Sequence, residues 1–384
     1  MRTILLSVPS GSHSRALLKP LRSFFGRAIA DQKIKLVIAS PMNKYPELTG
    51  EFDGSGFVFA PGQENIFAEY KPDLLITTTT GLDDFDLAIL QEAKKQKTPI
   101  LTYVESWDNI WKMEKKKEKM IKVDTLLVWN KMMREHAIKA LDYTKDQVHI
   151  VGSPRLDYFY REDKIPSREK LFQYLGLDSA KKLAHIATVE LYDISYVVKI
   201  LASARDSGKI KAPLEIYCSV HPGGDIAKHE WYAKKYNVKL RYSFGRSDRS
   251  PDPLFRYNPT EEEMYMLTSL WMHSDLMINF SSTAAIESML GDTPTINVMF
   301  GKPFDFLAWR KSAVYRDFQE HYKDIIEEQG TRVVKNKKQL LETVNRYLAH
   351  PEIDRKARRE TCQKMITFLD GKCSERVFRH ILQR

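Results

Sequence analysis

The chain has 384 residues, 43% apolar and 11% aromatic, with three cysteines and a formal net charge of +10. It is long enough for two or three domains with their own cores, too apolar for a disordered protein and too poor in cysteine for a disulfide scaffold. The positive excess is spread along the chain and comes with no zinc-finger spacing, RNP-like aromatic motif or basic tail. A nucleic-acid partner is therefore not expected, whereas phosphorylated ligands or an anionic membrane fit the charge.

The opening MRTILLSVPSGSHSR has only a short apolar run before Pro9, and no stretch of 18 apolar residues follows anywhere. Neither a signal peptide nor a transmembrane helix is expected, and Cys218, Cys362 and Cys373 read as reduced thiols of a cytoplasmic protein. In chain order the apolar runs TILLSV, KLVIAS, DLLITTT, PILTYV, TLLVWN and VHIVG predict six short strands, separated by helical or loop-like segments. That alternation predicts a parallel sheet covered on both faces. Residues 154–170, charged and flanked by prolines, read as the connection. A second series follows with KLAHIATV, LEIYCSV, VKLRYS, DLMINF and PTINVMF. The expected fold class is therefore α/β, with two Rossmann-like doubly wound domains facing a cleft: residues 1–155, residues 156–350, and C-terminal helices over 351–384 packing across. In those helices Cys362, Met365, Ile366 and Leu369, then Val377, Phe378, Ile381 and Leu382, recur at helical spacing and need only a packing role.

Ligands of doubly wound sheets bind beyond the carboxyl ends of the strands. Every chemically suggestive segment of this chain falls there: SGSHSR (10–15), TTTTG (77–81), ESWDN (105–109), GSPRLD (152–157), TVELYD (188–193), HPGG (221–224) and NFSST (279–283). In the last, Ser281, Ser282 and Thr283 form a strand-to-helix turn. Small hydroxyl residues in such a turn either cap the helix or leave amides and hydroxyls to hold an anion. The only D-x-D element, Asp84 to Asp86, stands at a helix start, and the dinucleotide signature GxGxxG is absent.

SWDN, VWN followed by a helix and VGSPRLD, HPGG, and SDLMINFSSTAAIESMLGDTPTINV occur in an order and approximate spacing that cover about residues 75–300. On these motifs the chain resembles a GT-B glycosyltransferase, and is similar to bacterial surface-polysaccharide transferases and the CDP-glycerol glycerophosphotransferase-like group. The resemblance implies that the second domain holds a nucleotide-activated donor. Ser281, Ser282 and Thr283 would meet its phosphates, Glu287 one turn further its ribose, and His221 and Gly223 of HPGG would approach a phosphate. The bland reading of the same residues is a helix cap, a first-turn acid and a turn histidine. The first domain would hold a glycan or lipid-linked glycan acceptor. No metal and no cofactor beyond the donor itself is expected, since helix N-termini and basic side chains can stabilise a leaving diphosphate.

An inverting transferase needs a base for the acceptor hydroxyl, and His13, Glu105 and Asp108 are the candidates in strand-following loops. An imidazole acts near neutral pH without the shift a carboxylate needs, so His13 is the expected base and Glu105 and Asp108 the acceptor-positioning groups. Trp107, set between those acids, and Trp111 one turn on could hold a sugar face. Arg155 reads either as a phosphate or interdomain contact or, with Asp157, as half of a hinge salt bridge. The lysine-rich stretch from Lys112 to Lys122 reads either as a solvated helix face or as a contact with anionic lipid, which would place the enzyme at the inner face of the membrane. Two further functions suit this architecture: a nucleotide-sugar 2-epimerase, and a non-catalytic carbohydrate- or nucleotide-binding protein.

Overall fold

The computed structural model describes residues 1–60, 65–189, 192–246 and 252–383. They fall into two compact units, the first comprising Met1–Tyr160, Ser247–Glu261 and Ile366–Arg384, the second Arg161–Arg246 and Glu262–Met365. Among the described residues no helix is long and apolar enough to cross a membrane.

The first unit is built on seven parallel strands: β1 (Arg2–Ser7), β2 (Ile34–Ala39), β3 (Val58–Ala60), β4 (Leu74–Thr77), β5 (Ile100–Tyr103), β6 (Thr125–Val128) and β7 (Val148–Ile150), in the order β3-β2-β1-β4-β5-β6-β7. Each central strand is a near-continuous apolar run because helices cover both faces; Ile4, Leu5, Leu6, Leu75, Ile76 and Leu101 are completely buried. The six strands expected from the sequence are all present. The seventh, β3, lies at the sheet edge, and its three residues are too few and too exposed on one side to leave a pattern.

The second unit repeats the plan with β8 (Lys182–Ala187), β9 (Leu214–Val220), β10 (Lys239–Tyr242), β11 (Leu276–Asn279), β12 (Thr295–Val298) and β13 (Arg332–Val334), in the order β10-β9-β8-β11-β12-β13. All pairings are parallel, for example Leu276 with Ala184 and Ile278 with Ile186. Here the unpredicted strand is β13, again three residues at an edge.

The order reverses between β1 and β4 in one sheet and between β8 and β11 in the other. At such a point the neighbouring connections leave to opposite faces and open a crevice at the strand ends. SGSHSR and TTTTG border the first crevice. TVELYD, of which Glu190 and Leu191 lie outside the described residues, and NFSST border the second.

The C-terminal helices do not behave as one layer. Helix Arg355–Ile366 is held in the second unit by Arg358, whose guanidinium is 1% exposed and donates to Asp292 Oδ1 at 2.8 Å and the Ile353 carbonyl at 2.6 Å. Helix Cys373–Gln383 returns to the first unit, where the Phe378 ring meets Phe24 and Phe25 at 5.5 and 5.6 Å. Asp157 caps that helix by accepting from the Cys373 and Ser374 amides at 3.0 and 2.7 Å. It is therefore not half of a hinge salt bridge with Arg155. Arg155 lies over the Trp129 ring, 5.1 Å from its centroid.

Candidate functional site

In the first unit, β1 ends at Ser7 and Ser10 opens a single helical turn, Gly11–His13, from an extended backbone. The turn runs without a break into a π-helical stretch, Ser14–Leu18, and then the helix Lys19–Ala30. Stretches of π-helix occur disproportionately at functional sites because the extra residue per turn re-aims a side chain. His13 was expected in the loop that follows the first strand, and it stands instead in this helical turn. It is 7% exposed, with Nδ1 2.7 Å from Ser10 Oγ and Nε2 3.7 Å from Glu105 Oε2. Nε2 is buried without a hydrogen-bond partner among the described residues. If Nδ1–H donates to Ser10 Oγ, the lone pair sits on Nε2, which explains why Nε2 stops 3.7 Å short of the carboxylate. A proton taken there creates an imidazolium that Glu105 is placed to stabilise.

The loop after β5 holds the other two first-domain candidates. Glu105 Oε1 accepts from Asn109 Nδ2 at 3.3 Å, which orients the carboxylate beside His13. Asp108 stands apart from this pair, accepting from Ser106 Oγ and bonded to Lys112 Nζ at 2.6 Å. Trp107 is 1% exposed, with its ring against Trp111 at 5.7 Å, so it cannot offer a face to a sugar. Burying an indole is worth a large apolar area, and packing has taken that use. The half-buried Trp111 is itself covered by His136, 5.0 Å from ring to ring.

Two parts of this site escaped sequence reasoning. The first is Asp86, fully buried, which accepts from Ser7 Oγ at 2.5 Å and from the Thr79 amide and hydroxyl at 3.2 and 2.7 Å. Burial pushes its carboxyl up to about 6 against the opposing influence of His13 and these hydrogen bonds. Asp86 thus ties the end of β1 to the loop after β4, and the TTTTG segment proves to be internal wiring: Thr77 Oγ1 also meets Thr102 Oγ1 at 2.6 Å. A signal was there to be read. Asp86 precedes Ile89, Leu90 and Ala93 by three, four and seven residues, on the buried face of its helix. The second is the segment around Tyr257, which rejoins the first unit from far along the chain. The Arg15 guanidinium lies 5.1 Å from the Tyr257 ring, Lys19 Nζ donates to the Pro259 carbonyl at 2.5 Å, and a Cβ on Gly11 would collide with the Tyr257 carbonyl. No local pattern announces a contact across some 240 residues.

In the second unit the NFSST turn rests on a buried polar network. Asn279 Nδ2 donates to Asn297 Oδ1 at 2.9 Å and to Tyr322 Oη at 2.6 Å, Tyr322 donates to Asn297 Oδ1 at 2.9 Å, and Asn297 Nδ2 donates to Thr331 Oγ1 at 2.7 Å. Burial raises the Tyr322 phenol well above its usual range, keeping it neutral. Above this base Ser281 adopts φ +75°, a left-handed conformation that a non-glycine residue holds at a cost. Ser281, Ser282 and Thr283 are half-buried. Thr283 stands at the N-cap of helix Ala284–Leu290 without a side-chain capping bond, while Ser282 Oγ accepts from the Ala284 amide at 3.3 Å. The bare capping role is thus filled weakly. Glu287 lies one turn along that helix and is 7% exposed.

HPGG follows β9 as a tight turn in which the Gly223 amide donates to His221 Nδ1 at 3.1 Å and the Gly224 amide to the His221 carbonyl at 2.8 Å. Gly223 was expected to offer its backbone to a phosphate, but its N–H is committed to the imidazole. A ring that accepts at Nδ1 carries its proton on Nε2, so the exposed His221 is set as a donor. Arg246, unremarked in the sequence, donates to the Pro222 carbonyl at 2.6 Å and brings a fixed cation to the same turn. The remaining candidate segment of this unit is structural. Tyr192 Oη donates to Asp305 at 3.1 Å and accepts from the Lys302 amide at 3.0 Å, and Asp193 pairs with Lys302.

Residues 263–383 match the family model of the CDP-Glycerol:Poly(glycerophosphate) glycerophosphotransferases. This is the group whose likeness was read from the motifs, and the resemblance is borne out over that part of the chain. No curated protein matches. Among solved structures the chain is similar to the UDP-GlcNAc 2-epimerase of Neisseria meningitidis bound to UDP-GlcNAc (10% identity, TM-score 0.67, all of both chains). It is also similar to the wall teichoic acid polymerase TagF (13%, 0.59, all of this chain and 89% of that one) and to a glycosyltransferase of Rickettsia africae (13%, 0.55, 100% and 98%). At such identities these likenesses establish the fold, and that fold is the GT-B arrangement of two Rossmann-like domains.

Proposed function

We propose that the protein is a transferase that moves a polyol phosphate or a sugar from a nucleotide-activated donor to a hydroxyl of a bacterial cell-surface polymer, working in the cytoplasm. The observation that carries this reading is the family match over 263–383, because that stretch contains the strained hydroxyl turn at the second topological switch point. Ser281, Ser282 and Thr283 supply hydroxyls to the donor's phosphates, Glu287 takes the ribose, and His221 with Arg246 bears the negative charge that develops on the leaving phosphate. His13 is the base, oriented by Ser10 and backed by Glu105, and Asp108 assists in holding the acceptor. With a CDP-polyol, the acceptor oxygen bonds to the polyol-bearing phosphorus, the bridging P–O bond breaks, CMP leaves, and the acceptor proton passes to His13 Nε2. With a nucleotide sugar, the bond forms at the anomeric carbon and the nucleoside diphosphate leaves.

The likeness to a 2-epimerase over the whole chain supports a second reading, in which one bound nucleotide sugar is eliminated and re-added. Product analysis separates the two. Nucleotide released only when a polymer or polyol acceptor is supplied supports the transferase, and CMP rather than a diphosphate identifies phosphate transfer. Release or isomerisation without acceptor refutes it in favour of the epimerase, and binding with no turnover on any donor refutes both.

A further inference from the structure

Phe304, Phe306 and Leu307 are 109%, 62% and 71% exposed, three large apolar side chains within four residues of the chain. Phe304 also stands at φ +66°, so the fold bears backbone strain to present a side chain that touches nothing. The segment is nonetheless firmly mounted. Tyr192 bonds both Asp305 and the Lys302 amide, and a Cβ on Gly301 would come within 2.6 Å of Trp309 and 2.8 Å of Tyr192 Oη. In the helix Phe306–Lys311, Trp309 is 5% exposed, with its ring against Tyr192 at 5.1 Å, which turns Phe306, Leu307 and Arg310 outward. The Arg310 guanidinium lies 4.7 Å from the Phe306 ring centroid, its stem along the apolar tip and its charge at the margin. Lys311 is exposed beside it, Arg316 is exposed in the following helix Ala313–Gln319, and neither makes an ion pair among the described residues. The acid of the segment, Asp305, is half-buried and turned toward Tyr192.

We infer that residues 303–311 form a wedge that enters the interfacial layer of an anionic bilayer, with Arg310, Lys311 and Arg316 meeting lipid phosphates. The inference rests on the transferase reading only for its purpose, which is to hold the enzyme where a lipid-linked acceptor is found. A bilayer is the occupant because the three side chains offer roughly 400–500 Å², well short of the ~800 Å² per partner of a stable protein interface. An apolar tip ringed by unpaired cations is also the composition of a peripheral membrane contact. The lysine-rich stretch near residue 115 lacks that composition. Lys112 and Lys117 are paired with Asp108 and Asp142, and Met113 is buried.

Flotation of the full chain with phosphatidylglycerol/phosphatidylcholine vesicles at low salt tests the wedge. The wild type should bind, and more weakly to pure phosphatidylcholine. F304S/F306S/L307S should lose at least tenfold in binding, and K311Q/R316Q about tenfold. K115Q/K116Q/K119Q should stay within a few-fold of the wild type. A Phe304→Trp variant should be quenched by brominated lipid. Acceptor-dependent nucleotide release with a short soluble acceptor should survive in the triple-serine variant, which also shows that it folds. Absence of wild-type binding at low salt, or a triple-serine variant that binds like the wild type, overturns the proposal. So does a concentration-dependent dimer that the triple substitution dissolves, since the patch would then face a second copy. Vesicle binding without turnover on any donor would leave the wedge standing and overturn the transferase reading instead.

Discussion

The two histidines singled out in this chain follow the ends of strands in sheets of the same order, yet their surroundings are opposite. His13 is 7% exposed, hydrogen-bonded through Nδ1 to Ser10 and close to Glu105. His221 is exposed on a glycine turn whose amides close on its own ring and carbonyl. The difference teaches what each position is equipped for. A base must hold one nitrogen unprotonated and aimed, which takes burial and a fixed partner on the other nitrogen. A phosphate brings its own charge and needs only donors that water does not have to leave first. The same contrast separates the turns at the two switch points. The first is locked by Asp86, Thr79 and the Tyr257 segment, whereas the second rests on a locked base but leaves its hydroxyls half-open.

The strongest way to break this comparison is to remove the buried ring. His13→Ala should lower kcat by roughly 10² to 10⁴, the usual contribution of a general base, with donor affinity retained. His221→Ala should instead weaken the donor. Initial rates at saturating acceptor, with donor titrations beside them, decide the matter. If His13→Ala is nearly as active as wild type while Asp108→Asn is dead, the roles of base and positioning group must be exchanged.

Asp86 sharpens the comparison through pH. Its folded carboxyl lies near 6 and its unfolded one near 3.8. Between those values the folded state binds the extra proton, so this group's contribution to stability falls as pH rises from about 4 to about 6. A shift of about two units corresponds to roughly 3 kcal/mol when complete. Asp86→Asn should therefore gain stability relative to the wild type as pH is raised from 4 to 7, read from urea midpoints at each pH. A difference independent of pH would mean that Asp86 is not strained by its burial.

On the second domain's side, Ser282→Ala with Thr283→Ala should weaken nucleotide-diphosphate binding by about 1.5 to 3 kcal/mol for each charge-assisted bond lost, with little effect on folding. Calorimetric titration of a folded double mutant with unchanged affinity would reduce the turn to a helix cap. The smallest expected effect is that of Gly11→Ala. Its new Cβ meets the Tyr257 carbonyl, so the strap must shift, at about 1–3 kcal/mol of stability. Thermal unfolding should show this, and an unchanged midpoint would mean that the segment yields freely and does not brace the His13 turn.

Much of this molecule was legible in its sequence for a plain physical reason. A strand buried on both faces must be apolar throughout, and the helices between must be amphipathic. The runs from TILLSV to PTINVMF therefore announced eleven strands and two doubly wound domains, and the polar clusters after them announced the crevices. His13, Glu105 and the NFSST turn were singled out in this way, and the structure places them at the strand ends. Strands β3 and β13 were not, because three residues at an open edge carry no period. Only the tertiary structure decided the rest. It buried Trp107, which composition alone offered as a sugar platform, and gave Asp157 to a helix cap 216 residues away. It tied the Gly223 amide to a ring, and it left Phe304 exposed. These outcomes depend on which surfaces meet across long stretches of chain. Periodicity fixes which face of an element is apolar, but what covers that face is set by packing.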